Sequence, residues 1–257
     1  MTDLLAEAAC RLDRILNEAA PFPLVGASIV SRDLRHGDMV CTHALKTAAA
    51  LRIPPQALAE RLLSRIRPEP DFFESAEAVS GFLNFRFGLG FYLALDAFYA
   101  GLTLPAIQSA LAALPFPAKP FACFSEALGI REPLPALSEL RRDGGSPFYH
   151  IQYTAERYRR FMAHSVPVRS SVPASNPERA LCLTLAQLPS VLVRCAEESA
   201  LLPLCRYLYL LSHSARRLSP AFRHGGISPA SAQSVYSVLS IFTQLFLSEN
   251  QEQLRRL

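Results

Sequence analysis

Phe72–Val79 and Phe82–Phe87 are separated by nothing but Ser80-Gly81. Both runs read as strands, and a two-residue linker ending in glycine joins two strands as a hairpin. Upstream the pattern is mixed. Asp3–Ala19 carries Leu4, Leu5, Ala8, Leu12, Ile15 and Leu16 at three- and four-residue spacing, an amphipathic helix that Pro21 and Pro23 stop. Val25–Val30 is short and β-branched, a strand. His36-Gly37-Asp38 punctuates the chain before a helix expected from Met39 to Leu51, with Asp38 placed to cap its first amides. Ile53-Pro54-Pro55 breaks that helix, and Pro55 opens another to Ile66. The pattern predicts an α+β domain over residues 1–92.

Beyond the hairpin the helical period takes over. Helices are expected at Leu89–Ala100, Leu104–Leu114, Ser146 to His164, Glu178–Leu188, Pro189–Ala200, Pro203–Leu218 and Pro229–Leu247. Residues 93–145 read as a helical connector and residues 146–257 as an all-α bundle, interrupted by the proline- and serine-rich loop VPVRSSVPASNP. The fold class is therefore an α+β N-terminal domain followed by a helical bundle, predominantly helical overall. Charge divides along the same line. Residues 1–150 hold 14 Lys/Arg against 16 Asp/Glu, whereas residues 151–257 hold 12 against 6. The basic half suits a polyanion, although a well-solvated surface shows the same asymmetry.

Several chemistries find no residues to carry them. The sequence has no P-loop, G-x-S-x-G elbow, H-E-x-x-H or dinucleotide fingerprint. Glu197-Glu198 and Glu74/Glu77 are surface carboxylates that nothing pairs into an acid–base couple. Six scattered histidines offer no ligand spacing, and the six cysteines contain no C-x-x-C. Most of those cysteines read as buried thiols of a reducing compartment. No catalytic residue, metal or cofactor is expected. Neither a charged-then-apolar leader nor a long uninterrupted apolar run is present, so the chain is expected to be cytoplasmic, with no membrane partner.

The basic half opens on Ser146–Arg160, reading SPFYHIQYTAERYRR. Ser-Pro is an N-cap type followed by the residue tolerated at the first helical position. At helical spacing Tyr149, Tyr153 and Arg160 fall near one line, with Arg157 one turn after Tyr153. Aromatic rings stack on splayed bases and guanidinium groups pair with phosphates, so this face suits unpaired RNA. An ordinary amphipathic helix with tyrosines at the core edge has the same pattern.

The letters of this stretch resemble the opening helix of the anticodon-binding domain of arginyl-tRNA synthetases, roughly N-P-x-Y-Y-x-Q-Y-A-H-A-R. Pro147, Tyr149, Gln152, Tyr153 and Arg157 stand at matching places, while His150, Thr154 and Ala155 depart. A second stretch, HGDMVCTHALKTAAALRIPPQALAERL followed by VSGFLNF, is similar to the N-terminal additional domain of the same family. Gly37, Asp38, Ala44, Pro55, Ala59, Gly81, Phe82, Asn84 and Phe85 match its h-G-D, P-x-x-I-A and G-F-I-N-F motifs, and His43 stands where Asn is common. The family's later R-L helix and G-L-x-x-L-G are not visible in SAQSVYSVLSIFTQLFLSENQEQL.

The resemblance implies that Phe82 and Asn84 meet a base at the tRNA elbow, the ring by stacking and the amide by its donors and acceptor. Core packing for Phe82 and a strand-edge amide for Asn84 are the alternatives. It further implies that Tyr153 and Arg157 lie at the anticodon loop, with either His150 or the neighbouring Tyr149 beside them; Gln152 and Arg160 of the same helix complete the candidate RNA-binding set. Residues 93–145 are too few for a complete catalytic nucleotide-binding domain. The H-x-G-H and K-M-S-K signatures of that domain do not occur, and the chain has only two lysines, Lys46 and Lys119. A non-catalytic binder of arginine tRNA is the resulting expectation, with no DNA partner. It would act as adaptor or accessory factor for a tRNA methyltransferase or a synthetase catalytic subunit. The alternative is a protein-interaction scaffold that keeps the folds without RNA binding.

Overall fold

The structure is a computed structural model that describes residues 3–31, 34–67, 69–112, 147–164, 172–173, 175–218, 220 and 227–256. It contains two compact units. The first comprises residues 1–95 with 170–186, and the second residues 96–169 with 187–257.

In the first unit, α1 (Leu4–Ala19) starts where Asp3 Oδ1 accepts the amides of Leu5 and Ala6, each at 3.0 Å. Its stripe of Leu4, Leu5, Ala8, Leu12, Ile15 and Leu16 is buried as the spacing predicts. Four strands follow in the antiparallel order β1-β2-β4-β3: β1 (Ser28–Val30), β2 (Met39–Cys41), β3 (Phe73–Val79) and β4 (Phe82–Phe87). Helices α2 (His43–Leu51) and α3 (Pro55–Leu63) precede β3, and α4 (Leu89–Ala100) leaves β4. At the hairpin Val79 pairs with Phe82, and Ser80 and Gly81 both take positive φ, 52° and 83°. Such a turn matches the twist of the strands it joins. Gly81 is needed there twice over, because a Cβ would also fall 2.5 Å from the Pro55 ring.

Two local expectations change. The helix expected from Met39 begins only at His43, and Met39–Cys41 is instead the strand between β1 and β4. Met39 and Cys41 are buried and Val40 is half-buried, the period-two pattern of a strand. Asp38 therefore caps no helix. Its Oδ2 accepts the Phe87 amide at 2.8 Å, fixing the loop before β2 to the end of β4.

Helix α7 (Asn176–Ala186), in the stretch read as part of a helical bundle over 146–257, clusters with the first unit. Its buried face combines Leu181, Cys182, Leu183, Leu185 and Ala186 with an ion pair. Arg179 lies 3.0 Å from Asp38 Oδ2 and 2.7 Å from Glu74 Oε1, with the Tyr92 hydroxyl at 3.5 Å. Asp38 is fully buried and the Arg179 side chain is 10% exposed, so neither charge could sit there without the other. Burial pushes the Asp38 carboxyl up, while the Phe87 amide and Arg179 hold it down.

Behind the sheet, His43 is 3% exposed, with Nε2 3.5 Å from Asp13 Oδ1. The same oxygen accepts from Ser28 Oγ at 2.6 Å, and that hydroxyl lies 3.0 Å from Cys41 Sγ. Burial pushes the Cys41 thiol up to about 12. Cys182, Cys195 and Cys205 are also buried, Cys10 is exposed, and Cys123 lies outside the described residues. Burial pulls the His43 imidazole below its ordinary value; Asp13 opposes the fall and Lys46 adds to it. The unfolded chain therefore binds that proton more readily than the folded one. His43's contribution to stability is complete above about pH 6.5 and is lost as pH falls toward its folded value. Urea midpoints should accordingly decline on acidification from about pH 7.5 to 5, and His43→Asn should flatten the decline. An unchanged slope would remove His43 from the account.

The second unit is all helix among the described residues. It contains α5 (Leu104–Leu111), α6 (Pro147–Ala163), α8 (Leu188–Glu198), α9 (Leu202–Leu218) and α10 (Pro229–Arg256). Helix α6 packs against α9 and α10, α8 packs on α9, and α5 meets α8 and α10. Tyr158 is fully buried at the middle of α6 and donates to the Ala215 carbonyl of α9 at 2.9 Å. The connector expected at 118–143 lies outside the described residues. Asn176–Glu198, which is α7 and α8 in succession, is long and apolar enough to cross a membrane, but 56% of its most apolar window is buried. Leu181, Leu183, Leu185, Leu188, Leu192 and Cys195 within it are buried apolar side chains.

Candidate nucleic-acid interface

Residues directly opposite each other in a sheet share a face, so the register sorts the strands. Leu83, Phe85 and Phe87 of β4 turn inward with Met39, Cys41 and Phe73, while Phe82, Asn84 and Arg86 share the other face with Ile29, Val40 and Glu77. On that outer face Ile29 is 53% exposed and Phe82 is half-buried. Asn84, however, is only 6% exposed. The 36–38 loop is the cause. Gly37 packs so closely on β4 that an added Cβ would fall 2.9 Å from the Phe85 carbonyl and 3.2 Å from Asn84 Cβ. His36 beside Glu77 at 3.5 Å, and Arg86 donating to the Arg35 carbonyl at 2.7 Å, complete the rim. Of the two residues expected to meet a base here, the ring is partly available and the amide is largely covered.

On α6, Ile151, Thr154, Ala155 and Tyr158 face the core. That leaves His150, Tyr153 and Arg157 along one outer edge, with Arg160 beyond them. Tyr153 is 40% exposed, and the Arg157 guanidinium lies 5.7 Å from its ring centre and donates to its hydroxyl at 3.3 Å. The two side chains thus hold each other in position, with Tyr153 exposed and Arg157 half-buried beside it. Arg160 is engaged differently, since it shares Glu156 with Arg159 at 2.8 and 2.7 Å. Those hydrogen bonds hold the Glu156 carboxyl down at about 2. Gln152 is half-buried on the neighbouring flank. The Tyr149 side chain lies outside the described residues.

The structure adds residues that the sequence did not single out. Arg216 of α9 donates to His150 Nδ1 at 3.0 Å, bringing α9 to the edge of the tyrosine–arginine surface. Arg179 was equally inconspicuous, because neither of its carboxylate partners is near it in sequence. The one available signal for Arg216 was its place in a basic last turn, Arg216-Arg217, where cations commonly answer the helix dipole.

Comparison with known proteins bears on the first unit. Residues 6–87 match the family model described as the arginyl tRNA synthetase N terminal domain. An arginine–tRNA ligase of Chelativorans sp. (strain BNC1) is 40% identical over 61 residues, 24% of this chain and 10% of the relative. That of Methylobacterium nodulans is 46% identical over 55 residues, 21% of this chain and 9% of the relative. The matches thus span about a tenth of the length of these curated relatives. The Thermus thermophilus arginyl-tRNA synthetase aligns over 96% of this chain and 37% of its own at 19% identity, with a TM-score of 0.27, too low to relate the two folds. Over residues 6–87, then, the chain is similar to the arginyl-tRNA synthetase N-terminal domain, and in that region it is arginyl-tRNA synthetase-like.

Proposed function

We propose that this chain is a non-catalytic RNA-binding protein that takes an arginine tRNA, with α6 at the anticodon arm and the outer sheet face at the elbow. The observation that carries the reading is the Tyr153–Arg157 pair. It offers a stacking face and a phosphate partner side by side on an exposed edge of a basic bundle. The likeness of residues 6–87 to a domain of tRNA synthetases supports it independently. The role proposed is that of adaptor or accessory factor, presenting the tRNA to a modifying methyltransferase or to a synthetase catalytic subunit in the cytoplasm.

The burial of Asn84 favours a second reading, a scaffold that keeps the folds and binds protein instead. One experiment separates the two. RNA and proteins that co-purify with the tagged chain should include arginine tRNA, and the affinity of purified chain for that tRNA should fall steeply as salt rises. A flat salt response with no enriched tRNA would leave the scaffold.

A further inference from the structure

The contact between Arg216 and His150 has a consequence for the extent of the binding surface. Arginine can only donate, so at 3.0 Å the His150 Nδ1 is the acceptor and the imidazole holds one edge of the guanidinium. That draws Arg216 toward α6 and leaves its other N–H groups on an exposed surface. Along the outer face of α9, Tyr209 and His213 precede Arg216 at helical spacing, their rings 6.3 Å apart; Tyr209 is half-buried, and His213, Arg206, Leu210 and Arg217 are exposed. Leu210 is 59% exposed.

The charge on this face is one-sided. Helix α9 contains no Asp or Glu, the single carboxylate of α6 is Glu156, already held by Arg159 and Arg160, and α10 has none from Pro229 to Phe246. Guanidinium groups interleaved with the exposed His213 ring and the half-buried Tyr209 ring complement a chain of phosphates with unpaired bases.

We propose that the RNA-contacting surface continues from α6 onto α9, with Arg216 taking a backbone phosphate of a single-stranded loop and Tyr209 and His213 offering faces to the adjoining bases. His150 is then a positioning residue: it aims Arg216 rather than reading RNA itself. The inference rests on the proposed function and deepens it by naming a second helix. The competing role for Arg216 is to answer the carboxyl end of its own helix. Its hydrogen bond runs across to α6 instead.

The test uses the full chain and an anticodon stem-loop transcript of an arginine tRNA, with Tyr153→Ala as the reference variant. Arg216→Gln should weaken binding about tenfold and lower the dependence of log affinity on log salt by about one. Tyr209→Ala should weaken it without changing that slope. His150→Ala should reproduce part of the Arg216→Gln loss, and His150→Gln, which still offers an acceptor, should recover it. If Tyr153→Ala is impaired while Arg216→Gln and Tyr209→Ala bind as the parent does, the inference is overturned and the broader reading stands. If the parent chain does not bind the transcript, both fall. A lower melting temperature for Arg216→Gln with unchanged binding would make it a helix-end contact and overturn the proposal. So would displacement of the transcript by polyglutamate at equal charge, which would assign the face to an acidic protein.

Discussion

Replacing Arg179 with alanine is expected to cost the first unit about 3–5 kcal/mol, the range measured when one member of a buried ion pair is removed. The size follows from what is left behind. Asp38 is fully buried, its Oδ2 would keep only the Phe87 amide, and its Oδ1 already has no partner among the described residues. Glu74, which is partly exposed, can turn to solvent and loses less. A domain of this size is stable by about 5–15 kcal/mol, so the substitution would consume much of the margin. Urea unfolding read by circular dichroism should show an early transition, and exchange of the Phe87 amide should accelerate.

Two companion measurements separate charge from packing. Asp38→Asn in the Arg179→Ala background keeps an acceptor for the Phe87 amide while removing the stranded charge, so it should recover part of the loss. The deficit relative to the parent should also shrink on acidification. Without Arg179 the buried carboxyl binds a proton more readily than it does in the unfolded chain, so the variant's stability falls as pH rises through that raised value. A loss under about 1 kcal/mol at neutral pH would mean that α7 is held by its apolar face alone.

The second large effect concerns binding. Tyr153→Ala and Arg157→Ala should each weaken the complex with arginine tRNA by about 1–3 kcal/mol, the cost of a lost base stack or charge-paired contact. Tyr153→Phe keeps the stacking face and loses only the hydroxyl that Arg157 contacts at 3.3 Å, so it should stay close to the parent. Because each side chain positions the other, the double variant should lose less than the sum of the singles. Filter binding across a salt series would check all four proteins. If both alanine variants bind like the parent, α6 is not the anticodon-facing helix.

The elements that could be read directly are those whose information is local. The Ser80-Gly81 turn, the stripe of α1 and the helical periods of α4, α5, α6, α9 and the early part of α10 each lie within one window of chain. Strand β2 was not legible. Three residues, Met-Val-Cys, have no period of their own, and their conformation comes from pairing with Phe85, Asn84 and Leu83 more than forty positions away. The candidate surface divides in the same way. Tyr153 and Arg157 meet because helices bring residues four apart together. The contact of Arg216 with His150 spans 66 positions, and the cover that Gly37 places over Asn84 depends on how the loop lies against β4.

By itself, then, the sequence determined the secondary structure of the longer elements, the basic character of the second half and the four-residue spacing that puts Tyr153 beside Arg157. Each of these is set by residues that are neighbours along the chain. Only tertiary structure placed α7 with the first unit, where Arg179 meets Asp38, 141 positions earlier. A charge can be buried only where its counter-charge is already waiting, and no local pattern records where that is.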